Sequence, residues 1–560
     1  MFTFIDWLVV AVYLLLIVGV GIWTSRGQVS KRDYFLGGRD MSWWIVGLSI
    51  VATETSALTF IGVPAMAFGA LAYKDGIFSA IPGSLFFMMI VVGYVTGRIA
   101  IAIWVIPYYF KGEVYTTFQL LTRAFGPNAR MTAAGISLLA MALGQGVRVL
   151  ATAIPLMMVM RTYEATANFG LVHGIVLTML FALVYTVFGG IKAVVLTDMM
   201  QYFIFAGGGL LAVLYIPHLL HGPLAAPSGA EGWSAVQEVA AKNLRWFNSG
   251  LLSHATIAEK LGHDPSMIEL LKAQGASILG EPMNLIMGLI GMPVGIVFAL
   301  GFDQLNVQRV LGCKSVKDGR KAMLLSATLI APQFLMFLLI GAGLYAFYSI
   351  QGFHFDGIKP WDPTAAEIKV KADYVFPIFI VEQMPIAVKG FMLAAILAAA
   401  MSSVSSAMSA MASMFVMDFY KPLTGAVMTE KGELKLSRIA VVVAGILLIG
   451  VASLSRGSSF IFTLAFTLAG LTQGALLGPF VYGMIHKRGH PAPVICGMII
   501  SVACMLEMNY LIQQKVIVPI AWPWHTLIGM IIALIPIYAL RPFFKANADR
   551  SMDKAQAGES

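Results

Sequence analysis

Long apolar stretches separated by short polar ones run through almost the whole chain, from Phe4 to Leu540. A helix that crosses a bilayer needs about 20 mainly apolar residues, and about thirteen stretches reach that length. They lie at roughly 5–24, 42–70, 76–108, 131–160, 171–190, 197–217, 281–301, 322–349, 385–415, 436–454, 458–484, 491–512 and 521–541. Ten-residue segments of alternating character, the mark of a membrane β-barrel, are absent from the pattern. The pattern predicts an all-α polytopic membrane bundle. Between the sixth and seventh spans, residues 218–280 open with HGPLAAPSGAEG and then carry two amphipathic segments, 233–245 and 256–273. Asp264, Pro265 and Ser266 stand where the second of these can start a helix. A polar tail, 542–560, follows the last span.

Two spans are interrupted in a way that a lipid-facing helix is not. Residues 49–69 read SIVATETSALTFIGVPAMAFG, and residues 281–301 read EPMNLIMGLIGMPVGIVFALG. Irregular backbone at membrane depth is tolerated only where protein buries it or it lines a cavity. Each interrupted span opens a set of five, 42–217 and 281–484, which is the pattern of inverted repeats around a midplane site. Glycine and proline also serve plain helix packing in membranes, so this second reading stays open.

Composition narrows the class. The 560 residues are 59% hydrophobic and 12% charged, with a mean hydropathy of +0.82, whereas soluble domains are about a quarter charged. A soluble multidomain enzyme and a disordered chain are both excluded. The net charge of +9 raises the question of a nucleic-acid partner, but most of the basic residues fall in alternate loops. Those loops carry Arg26, Lys31, Arg32 and Arg39; Lys111, Arg123 and Arg130; Lys192; Arg309, Lys314, Lys317, Arg320 and Lys321; Lys421, Lys431, Lys435 and Arg438; Lys487 and Arg488; and Arg541, Lys545, Arg550 and Lys554. Under the positive-inside rule this places the N-terminus outside and the C-terminus inside. The charge records topology, and no nucleic-acid partner is expected. The start MFTFIDWLVV lacks a positive n-region, so the first span is expected to be retained. Cys313, Cys496 and Cys504 have no metal-ligand or disulfide spacing and read as packing residues.

Candidate chemistry lies with the few polar groups at depth, where ionised side chains are costly and functional by default. Glu54 sits in the first interrupted span, where it could hold solute or a proton. Asp198 opens the sixth span, and its structural alternative is a helix cap or a pairing with Lys192. Arg148 lies mid-span in MALGQGVRVLATAIPL. It reads either as a clamp for a solute carboxylate, the geometry a guanidinium suits, or as a structural partner of Glu54 or Asp198. Ser402, Ser403, Ser405 and Ser406 follow an i, i+1, i+3, i+4 spacing within LAAAMSSVSSAMSAM. Such a face serves helix packing, or it supplies hydroxyl ligands to a hard cation together with carbonyls freed at a helix break. No nucleophile–base pair or metal cluster points to an enzyme.

Four blocks carry a resemblance: FLGGRDMSWWIVGLSIVATETSALTFIGVPAMAFGA, VYTVFGGIKAVVLTDMMQ, GFDQLNVQRVLGCKS and LAAAMSSVSSAMSAM. In order and spacing they resemble the sodium:solute symporters, over about residues 1–490. The resemblance implies a LeuT-type fold: a leading helix with its loop (1–41), a first repeat (42–217), a connecting segment (218–280), a second repeat (281–484) and two trailing helices (485–541). It also implies a main sodium site at Ala52, Thr55, Ala399, Ser402 and Ser403, and a second at Asp198, Ser405 and Ser406, with Na+ as coupling ion. The solute positions carried over are Glu54, Ser56, Thr59 and Phe466, joined by Arg148. The polar set that sugar-carrying members use is missing at Glu54, Thr59 and Phe466. The expected function is therefore sodium-coupled uptake of a small carboxylate-bearing solute, such as sialic acid, a monocarboxylate or an amino acid. The alternatives are a sugar or polyol symporter, proton coupling through Glu54 and Asp198, and a transporter-like solute sensor; a sensor would append an output domain, which is not expected after the last span. A multi-pass cell-membrane protein acting as a monomer or weak homo-oligomer is expected.

Overall fold

The computed structural model describes residues 2–26, 30–74, 77–111, 114–161, 166, 168–220, 229–352, 368–370, 372–425, 428–455 and 461–544. Within them the chain is helical apart from a small antiparallel sheet of Ile77–Ile81, Ala70–Lys74 and Ile368–Val370, in that order. Nine helices among the described residues are long and apolar enough to cross a membrane, or up to eleven when each of two bent pairs counts as one span.

The leading helix Phe4–Ser25 starts with a capping box between Thr3 and Asp6. Asp6 is fully buried. Its second oxygen reaches out of the helix and accepts the backbone N–H of Ala387 (2.8 Å) and of Gly390 (3.2 Å). Those amides open the serine-bearing helix Val388–Met414. A helix N-terminus leaves its first N–H groups unmet, and a carboxylate answers both their hydrogen bonding and their dipole.

The first interrupted span is a split helix, Trp43–Glu54 and Ala57–Phe68, whose halves are bent by 56°. The expected span 76–108 is shorter than the pattern suggested. Residues 77–81 pair as a strand, and the helix begins only at Phe87. The backbone of Gly69, at φ 96°, approaches Ile81 and Gly83 too closely for any Cβ, so the chain turns into the sheet there.

The expected spans 171–190 and 197–217 form one helical run, Leu171–His218, broken at Gly190 (φ 55°, ψ −161°). In a straight helix Tyr185 and Gln201 would stand about 24 Å apart. Instead Tyr185 Oη donates to Met401 O (3.0 Å), and Gln201 Nε2 donates to Tyr13 Oη (3.1 Å). Tyr13 Oη itself lies 3.8 Å from Met401 Sδ. The chain therefore reverses at Gly190, where left-handed backbone favours glycine.

The expected break inside 281–301 is corrected. Leu285–Gly301 runs unbroken through Gly288, Gly291, Pro293 and Gly295, and the interruption falls at Phe302–Asp303 before the half-helix Gln304–Leu311. The glycines serve packing instead. A Cβ on Gly288 would stand 2.0 Å from Met89 O, and one on Gly291 3.0 Å from Pro523 O. Because Gly288 faces rigid backbone, Gly288→Ala should cost about 1–3 kcal/mol, the usual range for overpacking. A lowered thermal midpoint of the detergent-solubilised variant is the expected reading; an unchanged midpoint would remove this account of the glycine run. The cysteines are free, with Cys313 buried as expected and Cys504 exposed against expectation.

Candidate functional site

The split helix leaves carbonyls that its own backbone does not satisfy. Thr55 N–H still bonds Val51 O (3.0 Å), but Ser56 N–H, which a continuing helix would aim at Ala52 O, bonds Glu54 O instead (3.1 Å). The orphaned carbonyls turn to the serine helix. Ser402 Oγ donates to Ala52 O (3.1 Å) and to Ala399 O (3.1 Å). Ser403 Oγ donates to Thr53 O (2.9 Å) and lies 3.4 Å from Ala399 O. Ala52, Ala399, Ser402 and Ser403 thus converge in one fully buried cluster of oxygens. The Thr55 hydroxyl donates to Val51 O (2.9 Å) and accepts from Gln333 Nε2. The second carbonyl facing the serines is that of Thr53. Buried carbonyl and hydroxyl oxygens gathered at a broken helix are the donor set that a small hard cation takes.

Asp198 lies beyond the Gly190 reversal, and neither it nor Arg309 is exposed at all. Its Oδ2 accepts from Ser49 Oγ (2.7 Å), Thr53 Oγ1 (3.2 Å) and Arg309 Nη2 (2.9 Å). Arg309 also donates from Nε to Ser49 Oγ (2.8 Å), and its other partners are Ser406 Oγ and Leu305 O. Ser405 and Ser406 donate to Ser402 O (3.2 and 2.6 Å). Two expectations change here. Asp198 pairs with Arg309 and not with Lys192. Arg309 is not a loop charge, because the half-helix that carries it is wholly buried. Asp198 Oδ1 has no hydrogen-bond partner among the described residues.

Glu54 is paired too, with the fully buried Arg98 of the helix Phe87–Ala100. Arg98 also donates to Tyr94 O (2.8 Å) and to Ser326 Oγ (3.2 Å). Neither acid is therefore the partner of Arg148, and the pairings expected for it with Glu54 and Asp198 are not formed. Arg148 lies on Pro127–Met160 and makes no hydrogen bond or ion pair among the described residues. Its electrostatic neighbours are Tyr94 and Asp303. It lines a cavity of about 140 Å³, shared with Glu54, Ser56, Thr59 and both sides of the Phe302–Asp303 interruption. Two amide oxygens on that lining, Gln145 Oε1 and Asn306 Oδ1, are buried without a hydrogen-bond partner. Asn306 Nδ2 is committed to Ala299 O (2.9 Å), so its oxygen is available only as an acceptor. The side chain of Phe466 lies outside the described residues. Reading the sequence missed Arg98, Asp303 and Gln333. The signal for Arg98 was present, since a guanidinium inside VVGYVTGRIAIAIW is as costly as Arg148.

The chain has relatives of known activity. It is 27% identical to the sodium/glucose cotransporter of Vibrio parahaemolyticus, over 91% of this chain and 86% of that protein. It is 25% identical to the sodium/sialic acid symporter SiaT of Proteus mirabilis (strain HI4320), over 100% and 99%. A solved substrate-bound, outward-open structure of a Na+-coupled sialic acid symporter matches it in fold, with a TM-score of 0.74 at 23% identity, covering 98% of this chain and 99% of that one. A family model matches residues 34–501, and the chain belongs to the sodium:solute symporter family.

Proposed function

We propose that this chain is a multi-pass cell-membrane symporter that uses sodium to accumulate a small carboxylate-bearing solute by alternating access. The observation that carries the reading is the buried oxygen cluster of Ala52, Thr53, Ala399, Ser402 and Ser403, beside a cavity lined by Arg148. Sodium binds at that cluster, and Thr55 belongs to the site through the backbone break it terminates. A second sodium binds at Asp198, Ser405 and Ser406, where the unpartnered Oδ1 supplies charge. The solute lies in the cavity against Ser56, Thr59 and Arg148. The buried acceptors Gln145 Oε1 and Asn306 Oδ1 favour a carboxylate that also carries hydroxyl or amino donors, since an unpaired buried acceptor costs free energy. Glu54 shapes this wall as a partner of Arg98, and Phe466 belongs to the helix Ile461–His486.

The two repeats, 42–217 and 281–484, rock about the two interrupted helices, with the N-terminus outside, the C-terminus inside and about thirteen crossings in all. A potential of 100 mV adds about 2.3 kcal/mol per charge that crosses the whole field, so two ions drive steep accumulation. The protein works as a monomer or weak homo-oligomer, without nucleic acid and without bond-breaking chemistry. Proton coupling is disfavoured because both of its candidate carriers, Glu54 and Asp198, already hold arginine countercharges.

The test is thermal stabilisation of purified protein by sialic acid, monocarboxylates, amino acids, sugars and polyols, with and without sodium. Stabilisation by acids that requires sodium is expected; stabilisation by neutral sugars alone would overturn the carboxylate reading. Arg148→Gln should weaken acid binding by about 10- to 150-fold, the worth of a hydrogen bond to a charged group. Sodium binding in that variant should persist. Equal solute affinity in both proteins would discard the clamp.

A further inference from the structure

We propose that Arg309 is a tethered counter-cation of the Asp198 site, and that its guanidinium and a sodium ion compete for that site. The inference rests on the reading of Asp198, Ser405 and Ser406 as a sodium site. It adds a residue which that site's expected composition lacks.

Three observations carry it. The guanidinium is aimed at the site's own ligands: Nη2 meets Asp198 Oδ2 (2.9 Å) and also Ser406 Oγ. Its Nε meets Ser49 (2.8 Å), whose hydroxyl in turn donates to the same carboxylate oxygen (2.7 Å). Second, the charges already balance. Asp198 and Arg309 form a neutral pair in a space with no solvent exposure, so a sodium ion added beside the pair would leave an uncompensated positive charge where screening is weakest. Entry of the ion therefore favours departure of the guanidinium. Third, a free ligand remains, because Asp198 Oδ1 is buried and holds no partner among the described residues. An ion met first by Oδ1 then draws Oδ2 and Ser406 away from Arg309.

The position of Arg309 gives the exchange a consequence. It sits on Gln304–Leu311, immediately after the Phe302–Asp303 interruption. Its contacts with Ser49 and Ser406 bind this half-helix to the split helix and the serine helix. Gln304 and Gln308 supply other ties, to Ser413 (3.2 Å) and to Phe35 O (3.0 Å). Sodium at Asp198 removes the ionic tie and leaves the neutral ones, which loosens the half-helix when the ion is bound. Charge exchange at one residue thus links ion occupancy to the mobility of a repeat.

The experiment is sodium titration of the purified full chain, read as thermal stabilisation, in wild type, Arg309→Gln, Asp198→Asn and the double variant. Arg309→Gln should tighten apparent sodium binding about tenfold, by removing a like charge at close range. Adding Asp198→Asn should abolish the gain. Arg309→Lys keeps the charge without the fork and should give a smaller shift in the same direction, so it decides the matter if Arg309→Gln does not fold. Unchanged or weakened sodium binding in Arg309→Gln, or wild-type affinity in Arg309→Lys, overturns the competition. If Asp198→Asn itself leaves sodium binding untouched, the sodium-site reading fails first, a result distinct from failure of the competition.

Discussion

Ser403→Ala is expected to raise the sodium concentration for half-maximal stabilisation by about one to two orders of magnitude, the largest effect on the ion foreseen for this protein. Ser403 is 1% exposed, and its hydroxyl bridges the split helix and the serine helix through Thr53 O at 2.9 Å. Alanine removes one oxygen from the ion's shell and leaves the Thr53 carbonyl without its donor. Both effects act on the ion-binding state. Ser501→Ala is the control. That hydroxyl is equally buried but bonds Gly529 O (2.7 Å), between the two trailing helices, so sodium dependence should not change. Parallel sodium curves for wild type and Ser403→Ala would remove the serine pair from the ion site.

Arg98→Met is expected to have the largest effect on stability, about 3–5 kcal/mol, because it leaves the Glu54 carboxylate at depth without its countercharge. Glu54 is 15% exposed on its side chain and Arg98 not at all, so little solvent reaches the pair. The loss should be read from unfolding of the purified protein in detergent. Adding Glu54→Gln to Arg98→Met should restore part of it, since breaking such a pair costs more than replacing both members. Additive losses in the double variant would show that the two side chains do not stabilise each other.

The membrane class and the serine face were legible because each rests on local spacing. Apolar run length marks the spans, and the i, i+1, i+3, i+4 pattern alone puts Ser402, Ser403, Ser405 and Ser406 on neighbouring faces. The break near Thr55 was legible as well. Which carbonyl it presents was not, since the rotation of Trp43–Glu54 against the serine helix decides between Thr53 and Thr55. The ion pairs were hidden for another reason. Glu54 and Arg98 lie 44 residues apart, and Asp198 and Arg309 lie 111 apart. Arg309 also stands close to Lys314, Lys317, Arg320 and Lys321, where one more basic residue reads as a topology signal. The glycines of 285–301 misled because close packing and a chain break carry the same signature. Only the contact with Met89 O separates the two.

The carboxylate of Asp6 has its consequence during synthesis. Its helix is made well before the amides that complete it, those of Ala387 and Gly390, which arrive some 381 and 384 residues later. Contacts of such separation form late, after the shorter loops have closed. Until then the helix Phe4–Ser25 holds an acid only half satisfied, by Thr3 alone. A ribosome stalled before residue 387 would hold a leading helix still able to leave the bundle, and one stalled after residues 387–390 have cleared the exit tunnel would not. The start of the chain is thus finished by its last third.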